Sequence, residues 1–300
     1  MSSPFRCVVL GWVVLSTLAP VPMHAQRGAV TLGYQLTYVD TGEPFPSPDG
    51  RKLVFLSRVA GFYQVFEMNT DGPAQMQITH DAANHDSPSW SPDGRKIAYV
   101  SDKTGHSVIY MMNPDGTGEE RLSDDRHEYI HPTWSPDNGS ILYCSDDDLK
   151  PPAKNPSEIY LLDIKTRKVT TLISGGTNTY PSLSPDGRKI VFRRMLGEMN
   201  SEVFVAAADG SGAQNLTNHP AFDGWPAWSP DGTRIAFASN RNANYQIFHA
   251  RRRNKCTAGG KYRRASHRTS LVYGWEDDLL HQLQEDRLGG GLSGLCCKAR

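Results

Sequence analysis

Short runs of alternating apolar and polar residues recur along the chain, each bounded by turn-forming residues, the pattern of half-buried β-strands. The clearest run holds Ile97 and Tyr99, with Trp90 and the tetrapeptide Ser91-Pro92-Asp93-Gly94 before it. Around it the pattern predicts four strands: a short inner one over 88–91, a second over 96–101, a third over 107–113 and an outermost one over 119–123. Asp115-Gly116 is the hairpin signal between the last two. Third strands of the same kind read Gln64-Val65-Phe66-Glu67-Met68, Glu158-Ile159-Tyr160-Leu161-Leu162, Glu202-Val203-Phe204-Val205 and Gln246-Ile247-Phe248.

The tetrapeptide recurs at Ser47-Pro48-Asp49-Gly50, Ser184-Pro185-Asp186-Gly187 and Ser229-Pro230-Asp231-Gly232, and in a worn form at Ser135-Pro136-Asp137-Asn138-Gly139. Pro presets its own φ, Ser and Asp suit polar turn positions, and Gly accepts the reversed backbone, so each copy predicts a tight turn. From proline to proline the copies lie about 44, 44, 49 and 45 residues apart, the period of four-stranded propeller blades. A fixed period overrides the two domains that length alone would suggest, because stacked repeats share one core. Repeats fall near 44–80, 81–123, 124–173, 174–217 and 218–248, within a propeller spanning 26–248. A strand at 34–38 has the character of a blade's outer strand with no blade before it, as a ring-closing strand would. The third repeat carries an insertion from Asp146 to Pro156; its three adjacent aspartates do not match a calcium loop, and the expectation is a solvated loop.

The two ends change the picture. Arg6, the apolar run Cys7 to Leu18 and a small-residue exit at Ala25 predict a secretory signal peptide over 1–25, too short for a membrane span. The fifth repeat runs normally to Phe248 and then gives His249, Ala250, Arg251, Arg252, Arg253 and a basic, Gly-rich tail, expected to be disordered. From Arg251 onward there are 11 Lys and Arg against 5 Asp and Glu. Shifting the codons of 270–282 by one nucleotide permits the reading P-W-S-T-D-G-K-T-I-Y-F-T-N, with a turn about 43 residues after Pro230, where a sixth blade's turn is due. The tail is therefore read as out-of-frame translation, the alternative being a genuine basic tail with a short helix from Leu279 to Leu283. The fold class expected is all-β: a β-propeller of four-stranded blades, five in-frame repeats of a six-bladed ring, truncated in its last blade.

Charge over the whole chain is balanced, 32 basic against 32 acidic residues, and the repeats show no nucleic-acid patch. The five cysteines give no pairing framework. No nucleophile elbow, phosphate-cradling glycine loop or zinc spacing is present, and no cofactor is expected. The Asp of each turn recurs in every blade, as a structural residue does. His80, His85, His127, His131 and His219 fall in connecting loops, but their sequence spacing alone does not define a metal site.

The repeats resemble those of the TolB-type, WD-like β-propeller family, whose units carry P-x-W-S-P-D-G, then I-x-F/Y, then I-Y/F-V-M, then R-L-T; the resemblance covers roughly 34–248. It implies a propeller, usually of six blades, often exported to the periplasm or secreted, and the scaffold role such periplasmic propellers have. The leading expectation is a non-enzymatic scaffold, a monomer, that presents its channel mouth to a protein or peptide partner. The alternative is the propeller module of a prolyl-oligopeptidase-like peptidase without its hydrolase domain, or a sugar-acting propeller lyase; fold alone does not decide chemistry.

Residues that do not repeat are the better guide to a site. Just before the proline of each inner strand stand Glu43; His85, Asp86 and Ser87; Tyr129, Ile130 and His131; Asn178, Thr179 and Tyr180; and Asp223, Gly224 and Trp225. Aromatic, imidazole and carboxylate groups converging on a concavity suit a binding site. The candidate contacts are Glu43, His85, Asp86, Tyr129, His131, Tyr180, Asp223 and Trp225, with the alternative that they fill a funnel and bond to neighbouring blades.

Overall fold

Each Ser-Pro-Asp-Gly segment forms the turn its residues predict. The serine hydroxyl donates to the Asp carboxylate two residues on (2.6 Å in the first copy, 2.7 Å in the second) and accepts the backbone N–H five residues on, while the fourth residue's N–H closes the turn onto the serine carbonyl. That fourth residue has φ between 63° and 69° in all five copies. In the worn copy Asn138, not Gly139, takes the left-handed place, which Asn tolerates better than other side chains. The structure, a computed structural model, describes residues 41–71, 74–146, 156–197, 200–242, 244–251 and 255–261. The chain divides into two units, Met1–Leu32 and Gly33–Arg300, and the described residues all lie in the second.

Five four-stranded antiparallel sheets follow one another. The first is β1 (Thr41–Pro46), β2 (Lys52–Val59), β3 (Phe62–Asn69) and β4 (Met76–Gln77); the second is β5 (His85–Trp90), β6 (Ile97–Ser101), β7 (Val108–Met112) and β8 (Glu120–Arg121). The third is β9 (Tyr129–Trp134), β10 (Ser140–Ser145), β11 (Ile159–Asp163) and β12 (Val169–Ile173); the fourth is β13 (Thr177–Leu183), β14 (Lys189–Met195), β15 (Ser201–Ala207) and β16 (Gln214–Asn215). The fifth is β17 (Asp223–Trp228), β18 (Arg234–Asn242), β19 (Asn244–Arg251) and β20 (Lys255–Lys261). Each inner strand packs on the next, β1 on β5, β5 on β9, β9 on β13 and β13 on β17. The blades form a ring, a five-bladed β-propeller. No helix among the described residues is long and apolar enough to cross a membrane.

Blades stack face to face, so the second and third strands are covered on both sides. In β6 and β7 every residue is buried, and the alternation visible in the sequence does not become a wet and a dry face. The core is a set of inter-blade clusters: Val54, Leu56 and Val65 of the first blade meet Tyr99 and Tyr110 of the second, and the arrangement repeats between later pairs. Each blade also pairs an aromatic residue of its second strand with one of its third. Phe55 faces Phe66, Tyr99 faces Tyr110, Tyr143 faces Tyr160, Phe192 faces Phe204 and Phe237 faces Phe248, with ring centroids 5.5–5.9 Å apart. Such pairs add about 0.5–1.5 kcal/mol each beyond their burial. Trp134 and Trp228, repeat positions, donate their indole N–H to the preceding blade's inner strand, to Ser89 O at 3.2 Å and Ser182 O at 3.1 Å.

Two expectations need adjusting. The outermost strands are shorter than the sequence suggests in three blades, two residues each in β4, β8 and β16, and just past each the hydroxyl of Thr79, Ser123 or Thr217 accepts the third-strand N–H that a longer ladder would use. The fifth blade does not break at Phe248. Strand β19 continues to Arg251, with Phe248 and Ala250 buried in register with Phe237 and Ile235, and β20 adds its outer strand by backbone pairing. The signal segment 1–25, the 34–38 strand, most of the third-repeat insertion and residues 262–300, where a sixth blade was read from the shifted frame, lie outside the described residues.

Candidate functional site

The inner strand of every blade carries a proline, Pro44, Pro88, Pro132, Pro181 or Pro226, and proline donates nothing to a ladder. Pairing with the second strand slips there in all five blades, a bulge between Gly42 and Phe45, Asp86 and Ser89, Ile130 and Thr133, Thr179 and Ser182, and Gly224 and Ala227. The residue before each proline is turned into the left-handed region: Glu43 at φ 52°, Ser87 at 49°, His131 at 54°, Tyr180 at 55° and Trp225 at 52°. For residues other than glycine this costs on the order of 1–2 kcal/mol each and persists only where surrounding contacts impose it.

Those contacts run between blades. The Ser87 N–H donates to Glu43 Oε2 at 2.7 Å, the Ser89 hydroxyl to Pro132 O at 2.9 Å and the Thr133 hydroxyl to Pro181 O at 2.9 Å. The bulge thus frees proline carbonyls from the sheet and points them at the neighbouring blade.

The bulge also sorts the eight candidate residues into two groups. Glu43, His131, Tyr180 and Trp225 occupy the left-handed position itself, equivalent from blade to blade; Glu43 is buried and the other three half-buried. His85, Tyr129 and Asp223, two residues earlier, are buried. His85 stands edge-on to Tyr99 (5.5 Å) and its Nε2 donates to Asp81 Oδ1 at 2.7 Å; burial lowers its pKa although Asp81 opposes this. Tyr129 donates its hydroxyl to Asp124 and packs edge-on against Tyr143 and Tyr160. Asp223, fully buried, holds Arg241 at 2.6 Å. Asp86, between the groups, is half-buried and accepts from the Ser87 hydroxyl at 3.0 Å. Among the described residues no group of three or more His, Cys, Asp or Glu side chains is placed to hold a metal ion.

Side chains at the left-handed position meet on one side of the ring. The His131 ring lies on Tyr180 with centroids 3.7 Å apart, and Trp225 stands edge-on to Tyr180 at 6.2 Å. Burial pushes the Tyr180 hydroxyl up to about 12, against the pull of Arg193 and Trp225. Behind His131, Cys144 Sγ lies 3.7 Å from its Nδ1, and burial pushes that thiol well up, so no thiolate stands there at neutral pH. Three neighbours escaped the sequence reading. Phe222 packs on Trp225 at 4.9 Å, Tyr245 meets both at 5.7 Å, and the Arg193 guanidinium lies over Tyr180 at 4.9 Å and Phe222 at 5.6 Å. Arg193 had a signal. The residues after the second-strand aromatic read Leu56-Ser57, Val100-Ser101, Cys144-Ser145 and Ala238-Ser239 in four blades but Arg193-Arg194 in one. Phe222 and Tyr245 carry no such mark and are brought in by the fold.

The family model of the TolB beta propeller domain matches residues 35–153 and 151–273. A dipeptidyl-peptidase 5 from Porphyromonas gingivalis is 35% identical over 71 residues, 22% of this chain and 10% of that protein. The chain spans no more than 28% of the length of the curated relatives it matches first. Among solved structures, a putative TolB from Agrobacterium tumefaciens superposes with a TM-score of 0.61 at 24% identity, covering 73% of this chain and 79% of that one. An oligogalacturonate lyase from Vibrio parahaemolyticus superposes with a TM-score of 0.57 at 16% identity, covering 75% and 68%. At these identities the structural likenesses speak for the fold.

Proposed function

The chain belongs to the TolB beta propeller domain family, and from that premise we propose that it is an exported, non-enzymatic scaffold binding a protein or peptide partner at the propeller mouth. One observation carries this reading: five bulges share one strained backbone geometry, yet carry Glu43, Ser87, His131, Tyr180 and Trp225. A purely structural position would repeat its side chain, as the turns do. Unlike side chains held rigidly round one axis, with Trp, Tyr and Arg together on one side, suit recognition of a shaped partner.

The test is site-specific photo-crosslinking from position 225 against position 165 on the outer edge, in the exporting host. A partner caught only from 225, and bound at least tenfold more weakly by Trp225→Ala with purified components, supports the reading; capture from 165 alone, or steady turnover of a peptide or uronate substrate by the chain, overturns it. Export is tested separately by sequencing the mature N-terminus, expected to begin at Gln26. The peptidase match supports a second reading, a propeller module that admits substrate to a hydrolase domain. A hydrolase that co-purifies with the chain and loses activity with Trp225→Ala would favour it.

A further inference from the structure

Among the described residues, one cation at the mouth has no counter-charge bonded to it. Arg193 takes the place that is Leu56, Val100, Cys144 and Ala238 in the other blades, all 8% exposed or less. Its side chain crosses from β14 toward β17, where it fits because residue 224 is glycine: a Cβ there would stand 3.1 Å from Arg193 Cδ and 2.8 Å from the Phe222 ring. Its Nε donates to Thr179 Oγ1 at 3.0 Å, which uses one of the guanidinium's five N–H donors. Among the described residues no acceptor lies on Nη1 or Nη2. Burial pulls the Arg193 pKa down, while Tyr180, Cys144 and Asp146 pull it the other way. Arg193 is half-buried, so its free N–H groups face the mouth, where an anion can reach them, and a carboxylate there would meet a partly desolvated cation.

We propose that Arg193 anchors a binding site for a peptide carboxylate, with Nη1 and Nη2 taking the two oxygens side by side and the rings of Phe222 and Trp225 receiving the neighbouring apolar side chain. This rests on the reading of the mouth as a peptide-binding surface and names the chemistry bound there. A planar guanidinium matches a carboxylate through two parallel hydrogen bonds, and stacking between Tyr180 and Phe222 fixes its plane without consuming donors. Charge selects an anion; the aromatic walls select what stands beside it.

Two peptides of the same shape test the site: Ac-Gly-Phe-Asp with its free carboxylates, and the uncharged Ac-Gly-Phe-Asn-NH2. Each is titrated into the mature chain by calorimetry, with the Trp225 indole N–H followed by NMR. The acidic peptide should bind tenfold or more tightly than the neutral one. Arg193→Gln should erase the difference and Arg193→Lys keep part of it, with thermal unfolding checking that both variants fold; the wild-type comparison of the two peptides needs no variant. Equal binding of both peptides, with equal shifts at Trp225, overturns the carboxylate site but leaves the mouth as a peptide surface. Binding of neither overturns the carboxylate site. If digalacturonate binds in an Arg193-dependent way and the acidic peptide does not, the ligand is an acidic sugar and the peptide assignment falls.

Discussion

The Ser-Pro-Asp-Gly turns and the bulges before the inner-strand prolines are both five-fold features with near-identical backbones. Turn residues stand at φ 63–69° and bulge residues at 49–55°. They differ in what fills them. Four of five turns use glycine and the fifth Asn138, so the residue there relieves the backbone, whereas every bulge holds a side-chain-bearing residue, one of them Trp225 and another Tyr180. A repeat fold economises on strain where only geometry matters. Where strain is kept at all five equivalent positions and the side chain changes each time, the side chains are what the backbone is being strained to aim.

The comparison breaks most readily at Ser91. Its hydroxyl, in a residue 1% exposed, donates to Asp93 at 2.7 Å and accepts the Lys96 N–H at 2.9 Å. Ser91→Ala should cost about 1–3 kcal/mol, since one hydrogen bond reaches a carboxylate and the other leaves a backbone donor behind. In thermal unfolding that is a fall of about 2–12 °C for a chain of this size. Ser87→Ala, at the bulge, removes only a hydroxyl contact with Asp86 and should stay within about 0.5 kcal/mol. Equal losses at the two serines would erase the distinction between a folding position and a presenting one.

Acid should act on the turns in the same sense. The serine hydroxyl, first among several hydrogen bonds, lowers the pKa of Asp49, Asp93, Asp137 and Asp231, that of Asp231 to about 2. A carboxyl whose pKa is lowered by folding stabilises the protein above its unfolded value of about 3.9, and that contribution is lost as pH falls through the folded value. Unfolding midpoints should therefore drop between about pH 4 and pH 2, and Ser91→Ala should flatten part of that slope. A midpoint unchanged over this range would mean that the turns are not held by their carboxylates.

How much of this was legible follows from how local each cause is. The turn is local chemistry, four residues satisfying one another, so its copies and their period reveal the blades directly. The bulge was half legible: each inner-strand proline was visible, but the slip of register depends on the second strand and on the next blade. That slip places Glu43, His131, Tyr180 and Trp225 at one equivalent position, Glu43 buried and the other three half-buried, and His85, Tyr129 and Asp223, which the sequence grouped with them, at a second, buried one. Arg193 was legible only as a departure from the repeat, an arginine where four blades have an apolar residue. Phe222, just before β17, and Tyr245 of β19 lie 23 positions apart and meet because β17 and β19 belong to one blade, and nothing near either residue in the chain announces it. Beyond Phe248 the basic tail looked unlike a strand, yet β18 offers a backbone ladder on which Phe248 and Ala250 keep the buried register.

The smallest effect tests the idea that the bulges are strained at all. Ser87 is the bulge residue with least side chain to lose, and its N–H is bonded to Glu43 Oε2 whatever the side chain. Ser87→Gly relieves a left-handed conformation worth on the order of 1 kcal/mol and adds about 0.5–1 kcal/mol of chain entropy to the unfolded state. The two nearly cancel, so stability should change by less than about 0.5 kcal/mol in either direction. Tyr180→Gly gains the same relief but gives up the contacts with His131 and Arg193, and should be less stable than Ser87→Gly by about 2 kcal/mol or more. A clear loss for Ser87→Gly would show that residue 87 is at ease where it stands. The argument that its position is kept for aiming a side chain would then lose its physical basis at that blade.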